Sequence, residues 1–119
     1  EGNPQTKAQI PRLRRQLLRG RMMTEVAKAT VVLVNPTHYS VAIRYDAETM
    51  ASPVVVAKGK NYLAKLIRDK ATRHQVPIVE NPPLARALYS SANVGQQIPI
   101  EFYRAVAEIL AYLYRMMNR

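Results

Sequence analysis

Val31-Val32-Leu33-Val34-Asn35-Pro36-Thr37-His38-Tyr39 governs the reading of this 119-residue chain. Four consecutive aliphatic residues, three of them β-branched, form a buried strand. The run stops at Asn-Pro, and Ser40-Val41-Ala42-Ile43-Arg44-Tyr45 starts a second strand just beyond it. Proline fixes φ, lacks an N–H and pushes the residue before it out of the helical region. Asn35-Pro36-Thr37-His38 is therefore expected to be a turn at a strand end, with Asn at i and Pro at i+1.

That dipeptide has a chemistry of its own. Asparagine usually degrades when the next backbone nitrogen attacks its side-chain carbonyl, and Pro36 has no N–H to do so. The reverse attack remains open, by the Asn35 side-chain nitrogen on the Asn35 backbone carbonyl. It closes a succinimide and expels Pro36 as a new amino terminus. Holding the two reacting groups together supplies roughly 7–11 kcal/mol, while cutting within minutes needs a barrier of about 21 kcal/mol. Strain in the turn or a donor to the developing oxyanion has to contribute the rest. His38 either polarises the carbonyl or assists proton transfer, or it caps the turn. Thr37 is read as a turn-shaping hydroxyl. Most Asn-Pro pairs are inert turns, so the dipeptide gains meaning only from its surroundings.

Outward from that stretch, strands and helices alternate. The first strand is expected at 30–34 and the second at 40–45. A third is Pro53-Val54-Val55-Val56-Ala57, with proline at its first position. Lys58-Gly59-Lys60 reads as a tight turn, since it lacks the spacing of a phosphate cradle. A helix follows near 61–74 with Leu63, Leu66, Ile67 and Ala71 on one face. Val76-Pro77-Ile78-Val79 is a fourth strand, 83–90 a helix and Ser90 to Gln97 a loop. The last helix, 99–117, carries Phe102, Val106, Ile109, Leu110, Leu113 and Met117 at helical spacing. The fold expected is α/β, a small mixed four-stranded sheet surrounded by about four helices.

The amino-terminal quarter is different. Residues 1–9 read as linker and 11–28 as a basic helix, with Pro11 in its first turn. Residues 1–30 hold seven basic and two acidic side chains, within a chain of net charge +10. The organisation expected is thus 1–28, linker and basic juxtamembrane-type helix, then 29–119, the α/β domain. Such charge suits an anionic membrane surface through residues 7–28, or nucleic acid. No aromatic platform interleaves with the arginines, so nucleic acid is not expected. An alternative function is nonetheless a basic α/β nucleic-acid-binding module in which Asn35-Pro36 is inert.

There is no cysteine and only two histidines, His38 and His74. No metal site and no cofactor is expected. Met22-Met23 and Met116-Met117 read as core or helix-end residues. Ser90-Ser91 has no nearby base for a hydrolase.

The tetrapeptide Asn35-Pro36-Thr37-His38, with a hydrophobic strand before it and Tyr39 after it, resembles the self-cleaving motif of the FlhB/YscU/SpaS export-switch family. Pro82-Pro83-Leu84-Ala85-Arg86-Ala87-Leu88-Tyr89, Val94-Gly95-Gln96-Gln97-Ile98-Pro99 and Ala105-Val106-Ala107-Glu108-Ile109-Leu110-Ala111-Tyr112 are similar to the cytoplasmic domain of its flagellar branch, in the same order. The likeness also takes in Glu1-Gly2-Asn3-Pro4.

The resemblance implies a component of flagellar type III protein export that cuts itself between Asn35 and Pro36. It implies control of the switch from rod and hook to filament substrates, by a single intramolecular turnover rather than an enzyme's repeated ones. It also implies a preceding part with transmembrane helices, which places this domain on the cytoplasmic side of the bacterial inner membrane. The partners implied are export-gate proteins, export substrates and the hook-length control protein. Pro82, Pro83, Leu84, Ala85, Arg86 and Tyr89 are candidate partner contacts, because the prolines present that helix near the surface.

Overall fold

The computed structural model describes residues 4–118. The elements in chain order are α1 (Pro4–Val26), β1 (Val31–Asn35), β2 (Tyr39–Arg44), β3 (Val54–Lys60), α2 (Tyr62–Arg73), β4 (Ile78–Glu80), α3 (Pro82–Ser91), a 3-10 turn (Ile100–Phe102) and α4 (Tyr103–Met117). The four strands form one sheet in the order β3-β2-β1-β4. β1 is antiparallel to β2 and parallel to β4, and β2 is antiparallel to β3. The sheet is mixed, as expected from the short connection between its first two strands.

β1 explains the architecture. Val31 and Leu33 enter one core with Leu84, Ala85, Leu88 and Val106, on the side of α3 and α4. Val32 and Val34 enter the other with Val26, Ile67 and Ala71, on the side of α1 and α2. A strand buried on both faces needs an unbroken aliphatic run, which is what residues 31–34 supply. Each such side chain contributes roughly 1.5–3 kcal/mol on burial. α2 turns Ala64, Ile67 and Ala71 inward, and α3 turns Leu84, Ala85 and Leu88 inward. On its exposed face α2 carries the Lys65–Asp69 pair at 2.8 Å, which holds the Asp69 carboxyl below the usual range. Solvent screens such a pair.

The structure departs from the sequence reading in several places. α1 starts at Pro4, so residues 4–9 are helical rather than linker, while residues 1–3 lie outside the described residues. Pro11 lies inside α1 rather than in its first turn. It is exposed, so water can take the carbonyl its missing N–H leaves free. Lys58-Gly59-Lys60 is not a turn but the end of β3, paired with Tyr39, Ser40 and Val41. Met117 is 68% exposed, outside the stripe expected of α4. The fourth strand is displaced to Ile78–Glu80, and Ser90 and Ser91 close α3 rather than open a loop.

Gly59 explains the third strand's extra length. A Cβ placed there would sit 2.6 Å from Leu63 Cγ. Across the ladder, Ser40, itself fully buried, donates its hydroxyl to the Ala64 carbonyl at 2.9 Å. The first turn of α2 is thereby pressed onto β2 and β3, close to the end of the sheet that carries the Asn35 turn.

Candidate functional site

β1, β3 and β4 run in one direction, so their carboxyl ends meet at one edge of the sheet. An asparagine stands at each: Asn35 ends β1, Asn61 follows β3 and Asn81 follows β4. The three have distinct roles.

Asn35 opens the turn that joins β1 to β2. The His38 N–H donates to the Asn35 carbonyl oxygen at 2.9 Å, closing a β-turn with Pro36 at i+1. Thr37, at i+2, has φ 68°, the sign a type II turn demands at that position. Glycine or asparagine usually fills it. A β-branched residue there stores strain of about 1–3 kcal/mol. Pro36, Thr37 and His38 are exposed, and Asn35 is half-buried.

The turn is clamped from both flanks. The Asn61 N–H donates to the His38 carbonyl at 2.9 Å, and the Asn81 N–H donates to the Val34 carbonyl at 3.0 Å. Because α2 starts next to Asn61 and α3 next to Asn81, two helix amino termini open at this edge. Each carries about half a positive charge, favourable to an oxyanion nearby.

Asn81-Pro82 is the same dipeptide in a different setting. The Asn81 Oδ1 accepts from the Leu84 N–H at 3.3 Å, capping α3. Its carbonyl accepts from the Ala85 N–H at 2.9 Å, the first bond of that helix. Pro82 and Pro83 occupy first-turn positions, where no N–H is required. Side chain and carbonyl are both committed to the helix.

Tyr39, next to the turn, stacks on Tyr89 with ring centroids 4.7 Å apart. The Lys58 ammonium lies 5.1 Å from the centre of the Tyr89 ring and donates to the carbonyls of Tyr89 (2.9 Å) and Ala92 (2.8 Å). A half-buried lysine thus satisfies the last carbonyls of α3. The sequence reading missed this residue. Its only signal is alternation continuing past Ala57, which Lys58-Gly59-Lys60 obscures.

The expected partner contacts divide. Leu84 and Ala85 are buried in the core and cannot meet a partner, because the amphipathic period of α3 turns them inward. Pro83 and Arg86 are exposed, while Pro82 and Tyr89 are half-buried. A cavity of about 1120 Å³ opens at the opposite end of the sheet beside Thr30, Ser52, Pro53 and Leu110. It is remote from Asn35. Among the described residues no cluster of three or more His, Asp or Glu side chains could hold a metal, and no helix is long and apolar enough to cross a membrane.

A family model described as FlhB HrpN YscU SpaS matches residues 1–113. The chain belongs to this bacterial export family. It is 50% identical over 98% of its length to the flagellar biosynthetic protein FlhB of Salmonella typhimurium, and 50% identical over its full length to that of Bacillus subtilis. It spans about a third of those relatives, 30% and 33% of their lengths. The fold is similar to that of the cytoplasmic domain of FlhB from Shewanella putrefaciens, with a TM-score of 0.77 and 46% identity over 81% of this chain and 79% of that one. It is also similar to an EscU carboxy-terminal domain carrying an asparagine-to-alanine replacement, with a TM-score of 0.75 and 31% identity over 78% of this chain and 93% of that one.

Proposed function

We propose that this chain is the cytoplasmic domain of a flagellar type III export-switch protein that cuts its own backbone between Asn35 and Pro36. The hydrogen bond from the His38 N–H to the Asn35 carbonyl oxygen carries the reading. That oxygen is the one on which charge develops when the carbonyl carbon is attacked.

The step runs within one residue. Asn35 Nδ2 loses a proton and attacks its own backbone carbonyl carbon, and the electron pair moves onto the oxygen that His38 already holds. Collapse of the adduct breaks the bond to Pro36, whose nitrogen takes up a proton and leaves as a secondary amine. Residue 35 becomes a carboxy-terminal succinimide, and no water is consumed. One preplaced oxyanion donor is worth about 2.7–4 kcal/mol. Strain at Thr37 adds to that if the cut releases it. Pro36 and His38 are both exposed, so solvent can supply the proton to the departing nitrogen.

The cut frees the Asn35–His38 turn and creates a charged Pro36 terminus while the core stays buried. That local change is what lets the export apparatus pass from rod and hook to filament substrates. The protein turns over once, on itself, and is not an enzyme in the usual sense. Solved EscU domains carry replacements of an asparagine and of the proline that follows it, which fits a motif of this kind. The domain faces the cytoplasm at the bacterial inner membrane, where α1, with Arg12, Arg14, Arg15, Arg19 and Arg21 along it, lies near anionic lipid. Its partners are export-gate proteins, export substrates and the hook-length control protein, met in part through exposed Pro83 and Arg86.

Intact mass under denaturing conditions tests the reading. Residues 1–35 and 36–119 are expected as separate species whose masses sum to that of the uncut chain. Asn35→Ala should leave a single chain, and equal cutting of that variant removes Asn35 as nucleophile.

A further inference from the structure

We infer that Asn61 is a positioning residue for the Asn35–His38 turn and that it acts through a strained backbone rather than its side chain. The inference rests on the self-cleavage reading. Asn61 has φ 55° and ψ −119°. Those angles belong to the first central residue of a type II′ turn, a position that glycine dominates. Asparagine tolerates the left-handed helical region, but here ψ carries it outside that region as well. As the amino-terminal cap of α2 it makes no side-chain capping hydrogen bond, and the residue is exposed. The usual reason for asparagine at a helix start is therefore missing.

The conformation instead serves two backbone bonds. The Asn61 N–H reaches the His38 carbonyl at 2.9 Å, and its carbonyl accepts from the Lys65 N–H at 3.1 Å. His38 is held at both ends, by its N–H on the Asn35 carbonyl and by its carbonyl on Asn61. The paired ladder ends at Tyr39 and Lys60, so Asn61 extends the grip one residue into the turn. With the first turn of α2 pinned to the sheet, a negative φ at Asn61 would have to turn the 60–61 peptide plane instead, swing its N–H off His38 and slacken the donor that faces the scissile carbonyl.

Two strained residues without a glycine, Thr37 and Asn61, thus lie on either side of His38. The third non-glycine residue with positive φ among the described residues, Gln75, follows the end of α2, where a left-handed residue is routine. Strain persists only where the surroundings impose it. At Asn61 they do, because Gly59 and Ser40 pin the first turn of α2 to the sheet.

The test is a time course of cutting after cell-free synthesis of the chain, read by intact mass. Glycine adopts these angles without strain, so Asn61→Gly should cut at least as fast as the wild type. Asn61→Ala should be slower. Asn61→Val, which cannot hold the conformation, should be at least tenfold slower while its circular dichroism shows a folded domain. In the uncut Asn35→Ala background, the Asn61 amide should exchange slowly with deuterium, and the residue 61 amide of the added Asn61→Val variant should exchange faster. If the valine variant does not fold, Ala against Gly decides by the same ordering. Equal cutting rates among folded variants overturn the positioning role and leave self-cleavage standing. A wild type that stays uncut overturns both.

Discussion

The ring of Tyr39 lies 4.7 Å from that of Tyr89, tilted by 36°, and joins the start of β2 to the last turns of α3. Lys58 completes the unit by holding the end of α3 from the sheet side. Residues far apart in sequence thus fix the strand into which the Asn35 turn runs.

Tyr89→Ala should destabilise the domain by about 2–3 kcal/mol, less than a fully buried aromatic because Tyr89 is half-buried. Lys58→Met should cost about 1–3 kcal/mol, since it strands two carbonyls at the end of α3. Urea unfolding of each variant in the uncut Asn35→Ala background provides the measurement. An unchanged midpoint for Lys58→Met would show that water satisfies those carbonyls equally well.

Cutting should occur at Asn35-Pro36 and not at Asn81-Pro82. In the second dipeptide the Asn81 side-chain oxygen accepts from the Leu84 N–H, which commits the would-be attacking amide to capping α3. Prolonged incubation followed by intact mass should therefore reveal no fragment ending at residue 81. Attack requires the Asn35 amide to lose a proton, so the rate should climb as pH is raised. A flat pH profile would point to a different mechanism.

After the cut, the two pieces should remain together under native conditions. β1 belongs to the first piece, yet Val31, Val32, Leu33 and Val34 are at most 4% exposed and pack against residues of the second. Burial is indifferent to one broken peptide bond at the surface. Size exclusion should give a single peak, and denaturant should separate the fragments. Spontaneous separation in buffer alone would contradict the packing.

Gly59→Ala should destabilise by about 1–3 kcal/mol, because the added carbon meets Leu63 at a distance real side chains do not tolerate. Leu63→Ala in the same chain should recover part of the loss, and a double-mutant cycle read by thermal unfolding measures the coupling. Additive effects would mean that α2 can shift at no cost.

The sequence by itself determined most of the elements and the position of the Asn35 turn. An aliphatic run broken by Asn-Pro can only be a strand entering a turn, and apolar spacing of 3.6 marks α2, α3 and α4 as helices that need a sheet to lie on. Such signals are local, so one stretch of residues carries them. The Thr37-His38 that follow set Asn35-Pro36 apart from Asn81-Pro82 in the sequence, but only the structure shows that the Asn81 side chain caps α3. It misread Lys58-Gly59-Lys60 because a glycine between lysines resembles a turn until Leu63 is seen filling the space a side chain would occupy. It offered Leu84 and Ala85 as contacts, and the packing of α3 turned them into core. The His38 N–H on the Asn35 carbonyl is the local bond of the turn expected there, whereas the strained Asn61 and its N–H on the His38 carbonyl join segments that lie apart in sequence. Hydrogen bonds between such segments form only when the sheet closes, so only the tertiary structure could decide them.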